Sequence, residues 1–241
     1  DVTVTGGSVQ TTGNFAYDST GLGVSVNRTA VGTINTGTST MYLNPSGSMN
    51  EGNNPVQGNV SATRTASMGI NETFGNIGFE INAAAAAPGS TVINRKTGVA
   101  STGNGHNSIL RYFDIAATLN LALNATSKFS YATSELNGNA EADLLLHKST
   151  NIGLSWSGKS GTVNTSLHTI TATGISGFSR WTAAAASVPL FITHTITVRK
   201  LQDLDGNIFT TADQSLRKWR LSLYRDSITA GTLINSQNLN S

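Results

Sequence analysis

Apolar residues recur at alternate positions in short runs along this chain, and glycine, proline or asparagine closes most of the runs. A period of two over four to eight residues predicts half-buried strands. Val2-Thr3-Val4-Thr5 alternates until Gly6-Gly7 breaks it, and Gly23-Val24-Ser25-Val26 and Thr40-Met41-Tyr42-Leu43 follow. Further strands are expected at 59–64, 77–81, 91–96 and 109–115, with Pro88-Gly89 as a turn. Leu119–Leu123 and Lys128–Tyr131 read as a hairpin about Asn124-Ala125-Thr126. Ala142–Lys148 is near-continuously apolar, the pattern of a central strand. Leu154-Ser155-Trp156, His168–Thr173 and Ile175–Thr182 complete this stretch.

Strands at this spacing predict an all-β protein, with antiparallel β-sandwich domains in tandem. Over 1–57 the apolar and glycine spacing suits either a sandwich edge or stacked rungs of a short β-solenoid; no strict repeat period is visible. The expected organisation is an N-terminal β region at 1–57, a sandwich at 58–182, a small-residue linker at 183–190 and a partial sandwich at 191–241. The last has about three strand signals, at 195–200, 219–225 and 231–234. A sheet this small is marginal alone, so it must dock or gain a strand from another chain.

Composition sharpens this picture. Charged residues make up only 12% of the 241, against about a quarter in ordinary soluble domains, and threonine, serine, asparagine and 25 glycines fill the difference. Hydrophobic content of 38% still permits a packed core. A net charge of +2, with no basic cluster interleaved with aromatics, predicts no nucleic-acid partner. No apolar run is long enough for a membrane-spanning helix, so no membrane insertion is expected. With no cysteine, thiolate metal sites are excluded. The start at Asp1 is expected of a processed fragment, and the polar tail 235–241 is expected to be held by a neighbouring subunit.

An ordered set of motifs runs through 58–182: Gly58-Asn59-Val60-Ser61-Ala62-Thr63-Arg64-Thr65, Phe74-Gly75-Asn76-Ile77-Gly78, Pro88-Gly89-Ser90-Thr91-Val92, Arg111-Tyr112-Phe113-Asp114-Ile115, Ser134-Glu135-Leu136-Asn137-Gly138, Glu141-Ala142-Asp143-Leu144 and Gly174-Ile175-Ser176-Gly177-Phe178-Ser179-Arg180-Trp181. Together they resemble a β-module recurring in large secreted surface proteins of the Bacteroidetes–Chlorobi group, many exported by the type IX route. Val188-Pro189-Leu190 follows, as in those proteins. The segment 195–226 resembles the start of a prealbumin-like or serine–aspartate-repeat B-type stalk domain. These resemblances imply an extracellular or cell-surface location and a non-enzymatic role. Asp18-Ser19-Thr20 and Asp226-Ser227-Ile228 are similar to that group's O-glycosylation signal, which would modify Ser19 and Ser227.

Asp203, Asp205, Asn207 and Asp213 place oxygen donors at spacings able to converge on calcium, although Gln214 stands where an EF-hand loop has a bidentate glutamate. The competing expectation is a plain Asp/Asn/Gly turn, with no cofactor. His106, His147, His168 and His194 show no metal-ligand spacing, although His147 and His168 read as strand residues that could be cross-sheet neighbours. Glu135 and Glu141, with Asp143, offer a notional general acid and base. They flank an Asn137-Gly138-Asn139 turn, where solvated side chains are expected. Trp156, Trp181 and Trp219 could stack surface glycans, but each reads as a strand residue suited to core or interface packing. No nucleophile elbow, phosphate loop or dinucleotide fingerprint is present.

The expectation is therefore a structural protein associating with identical subunits, a subunit of an extracellular filament, sheath or surface layer. Strand donation through Val2 and Val4, or through Leu233 and Ile234, would join the copies. The rival expectations are a cell-surface adhesin or carbohydrate-binding module, and a non-catalytic accessory domain of a secreted hydrolase.

Overall fold

In a computed structural model of the chain, residues 34–51 and 54–191 are described in full, and the strands outside that range by their backbone alone. The chain divides into two compact units, Asp1–Ile192 and Thr193–Ser241. The first begins with β1 (Gly7–Gln10), β2 (Phe15–Tyr17), β3 (Ser25–Asn27), β4 (Gly32–Leu43) and β5 (Ser48–Asn50). Next come β6 (Gln57–Ala66), β7 (Phe79–Ala83), β8 (Gly89–Thr97), β9 (Thr102–Gly103), β10 (His106–Asn107), β11 (Arg111–Ala117) and β12 (Ala125–Ser130). Two 3-10 turns, Thr133–Glu135 and Glu141–Asp143, lead into β13 (Leu144–Ser149), β14 (Ser157–Lys159), β15 (Thr162–Asn164), β16 (Thr169–Ile175) and β17 (Arg180–Ala185). The second unit has β18 (Leu201–Gln202), β19 (Gln214–Ser215), β20 (Trp219–Arg225) and β21 (Thr232–Leu239), paired as β18–β19 and β20–β21. The protein is all-β, and its pairing is mostly antiparallel.

A nine-stranded sheet runs in the order β1-β4-β6-β8-β11-β17-β13-β14, with β2 also on β4. A four-stranded sheet, β15-β16-β12-β7, packs against it. Alternation makes the interface: Phe79, Ile81 and Ala83 of β7 are buried, as are Arg111, Phe113 and Ile115 of β11, while intervening residues are not. Phe113 bridges the sheets, with its ring centroid 5.3 Å from Phe79 and 5.1 Å from Phe129. Burying each such ring contributes about 1.5–3 kcal/mol. Trp181 of β17 joins the same cluster, fully buried.

The large sheet changes character at β6. On one side β6 pairs antiparallel with β8. On the other it pairs parallel with β4, and β1 and β2 pair parallel with β4 in turn. β3 and β5 form a separate parallel pair.

Several sequence expectations fail here. Leu119–Leu123 is a bend, because Ala122 and Asn124 adopt positive φ (56° and 45°) and Leu121 faces solvent. The hairpin is therefore absent, and β12 pairs with β7 and β16 in the facing sheet. Leu154-Ser155-Trp156 is also irregular, Leu154 being 88% exposed. The expected linker begins too early: Ala183, Ala184 and Ala185 end β17, paired with Leu146, Leu145 and Leu144 of β13. All three are buried, and their small side chains suit a crowded central strand.

Candidate functional site

A polar cleft of about 490 Å³ is lined by Asn50, Glu51, Asn76, Arg111, Ser130 and Tyr131, among others. It lies where the segment after β5 meets the ends of β11 and β12. Two buried ion pairs underlie it. Arg95, from the inward face of β8, donates from Nη1 to Glu51 Oε2 at 2.5 Å and from Nη2 to Oε1 at 2.7 Å. Its Nη1 also reaches the Ile77 carbonyl (3.1 Å), while the Val56 amide donates to Glu51 Oε1 (2.6 Å). Burial alone would raise the Glu51 carboxyl, but the Arg95 charge and hydrogen bonds outweigh it and hold its pKa below the usual range. Burial opposes the charged form of Arg95 too, and the Glu51 charge more than offsets that.

The second pair joins Arg111 of β11 to Glu135 of the first 3-10 turn. Arg111 Nε donates to Glu135 Oε1 (2.9 Å), and its Nη1 donates to the Ser130 carbonyl (2.9 Å). The Ala132 amide donates to Glu135 Oε2 at 2.6 Å. Burial, with the nearby Arg95 charge, leaves the Arg111 pKa lowered despite Glu135. Gly78 makes room for this guanidinium: a Cβ there would sit 2.7 Å from Arg111 Nη1, and its φ of +98° is open to glycine. Glu135 is 1% exposed, so the solvated role expected for it does not hold. Its partner lies 24 residues upstream, a separation no local pattern reveals.

Glu141 does not join Glu135. It accepts from the Tyr131 hydroxyl at 3.0 Å and meets His168 Nδ1 at 2.7 Å. Burial first, and then Glu141, pushes the Tyr131 phenol upward. Asp143 accepts from the Ser187 amide (2.9 Å) and hydroxyl (2.5 Å). The three carboxylates considered for acid–base work are thus each held by a different neighbour.

His168 lies in a turn, at φ +53°, and not on a strand. His147 belongs to β13 in the other sheet, so the two are not cross-sheet neighbours. His147 is fully buried; its Nδ1 lies 2.9 Å from the Leu145 carbonyl, and the Leu190 amide donates to Nε2 at 3.3 Å. One ring nitrogen donating and one accepting defines a neutral imidazole. Burial lowers its pKa, against the backbone hydrogen bond. Among the described residues no group of three or more His, Asp or Glu side chains is placed to hold a metal. Asp203, Asp205, Asn207, Asp213, Ser19, Ser227, Val2, Val4 and His194 lie outside the described residues. Leu233 and Ile234 fall within β21.

Trp156 is 8% exposed with its Nε1 donating to the Thr102 carbonyl (3.0 Å), and Trp181 is fully buried beneath the Lys148 ammonium. Neither offers an open face to a sugar ring; Trp219 is described only by its backbone. The remaining motif residues interlock. Phe113 and Asp114 stand opposite Trp181 and Arg180 in the β11–β17 register. Arg180 grips Asp114 bidentately (2.7 and 2.6 Å) and stacks over Tyr112, 4.3 Å from its ring centroid. Arg64 reaches the Leu43 and Gly47 carbonyls, and Asn59 the Ser39 carbonyl. No family model, curated protein or solved structure matches this chain.

Proposed function

We infer that this chain is a non-enzymatic extracellular structural protein, a building block of a bacterial surface filament, sheath or surface layer whose copies join by β-strand addition. The observation that carries this reading is the internal use of the motif side chains. Arg64, Arg111, Asp114, Glu135, Glu141, Asp143 and Arg180 each bind another part of the same fold. Side chains used in this way support an architectural role for the motif set. The cell-surface location follows from the resemblance of 58–182 to the secreted β-module.

Joining of copies is supported by the second unit, where among the described residues β20 and β21 form a sheet of two strands. Two strands alone are marginal in water, and a third strand from another copy would complete them. Sedimentation velocity of the full chain over a wide concentration range tests this. Concentration-dependent growth into larger species is expected. A chain that stays monomeric throughout, with 193–241 cut rapidly by protease, contradicts it.

A further inference from the structure

The N-terminal pairings repeat. Gly7 pairs with Gly32 and Phe15 with Met41, offsets of 25 and 26 residues; Ser25 pairs with Ser48, an offset of 23. The next round continues in the same direction: Asn35 pairs with Gln57, an offset of 22, and Met41 with Val60, an offset of 19. The third position continues too. The Met49 amide donates to the Gly75 carbonyl at 2.8 Å, an offset of 26. Gly75 sits so close to the preceding round that a Cβ would lie 2.4 Å from the Gly47 carbonyl oxygen. The first two rounds thus feed both the large sheet and the smaller parallel pair, and the third meets that pair through the Gly75 carbonyl.

Parallel register partners share a face of their sheet, so like should meet like along the stack. Val9 partners Ile34, Phe15 partners Met41, Tyr17 partners Leu43 and Val26 partners Met49. Met41 and Leu43 in turn partner Val60 and Ala62, and all four of these are buried. Identical residues meet at Gly7–Gly32, Ser25–Ser48 and Asn27–Asn50. Asparagine and serine ladders of this kind accompany stacked parallel strands. Beyond β6 the parallel stack ends, since β6 turns its other edge to the antiparallel β8.

We propose that the strands described between residues 7 and 62 belong to successive coils of a parallel β-solenoid, that the sandwich from β6 to β17 is its cap, and that the outer edge of β1, β2 and β3 is a stacking surface. Its occupant is one further coil of the same kind, 19 to 26 residues long by the offsets above, with apolar residues at the register positions of Val9, Phe15, Tyr17 and Val26. Solenoid stability is a sum over nearest-neighbour coils, so an open end accepts another coil and a capped end does not. The proposal stands apart from self-association of the second unit, and its tests do not depend on it.

Because the chain has no cysteine, introduced pairs report register without interference. Ser25→Cys with Ser48→Cys, and Asn27→Cys with Asn50→Cys, place thiols on directly opposed residues, within disulfide reach. Ser25→Cys with Asn50→Cys is offset by one pleat repeat and out of reach. Mild oxidation is expected to close the two opposed pairs within one chain several-fold faster than the offset pair; equal rates would overturn the coil. For stacking, a second copy of residues 7–31 is inserted after Val31, and compared with an insertion of half that length. The whole-coil insertion is expected to be protease-resistant and to melt in one transition with the first unit, and the half-coil insertion to be cleaved. A whole coil cleaved as fast as the half coil, or one that unfolds the first unit, would overturn the stacking surface.

Discussion

Replacing Glu51 by glutamine tests whether the polar cleft is structural cement. The substitution keeps shape but removes the charge that compensates Arg95, whose side chain is wholly buried against 11% exposure for Glu51. Leaving such a charge uncompensated costs about 3–5 kcal/mol, which for a unit of this size lowers the melting temperature by about 6–20 °C. The double variant Glu51→Leu/Arg95→Met removes both charges and refills the space. Such exchanges are neutral to stabilising, so the double should fall within about 1–2 kcal/mol of the parent, far from the sum of the singles. Thermal and urea unfolding of the parent, Glu51→Leu, Arg95→Met and the double gives the cycle, with Glu51→Gln measured beside it. The pH dependence has a fixed sign. The folded pKa of Glu51 is depressed, so its contribution is complete above about 4.3, the unfolded value, and is lost as pH falls from there through the folded pKa. Glu51→Gln should lack that part of the acid slope. A single variant within about 1 kcal/mol of the parent, or a double costing the full sum, refutes the reasoning.

Three further outcomes follow from the same contacts. Gly75→Ala and Gly69→Ala both force a side chain onto positive φ, costing about 1–3 kcal/mol, but only Gly75 also collides with the Gly47 carbonyl; it should melt measurably lower than Gly69→Ala. His147 is held neutral by burial, so its folded pKa is depressed and its contribution is lost as pH falls below about 6.5; His147→Gln should flatten the stability slope below that pH, read from urea midpoints. Arg180→Lys keeps the charge but loses the bidentate grip on Asp114 and the stack on Tyr112, and should lower stability by about 0.5–2 kcal/mol in urea unfolding.

Strand identity was most legible where one face meets the core. Residues 91–96 and 109–115 alternate because β8 and β11 each bury one side, even where the buried residue is Arg95 or Arg111. It misled at Leu119–Leu123, whose alternation is that of an exposed bend anchored by the single buried Leu123. Ala183–Ala185 looked like a spacer because small side chains serve flexible linkers and crowded central strands alike. The cleft was invisible, since Glu51 finds Arg95 across 44 residues and Arg111 finds Glu135 across 24. The coil left a faint trace, Ser25-Val26-Asn27 against Ser48-Met49-Asn50, too short and too unevenly spaced to declare a period.

If the fold is closed around its polar groups and extends through its strand edges, the two parts should respond differently to concentration. Amide hydrogen exchange on the full chain at low and high concentration tests it most directly. Protection is expected to rise with concentration in β20 and β21, while amides of β8, β11 and the Ala132 turn that frame the cleft stay equally protected at both. Protection in β20 and β21 that ignores concentration would contradict it.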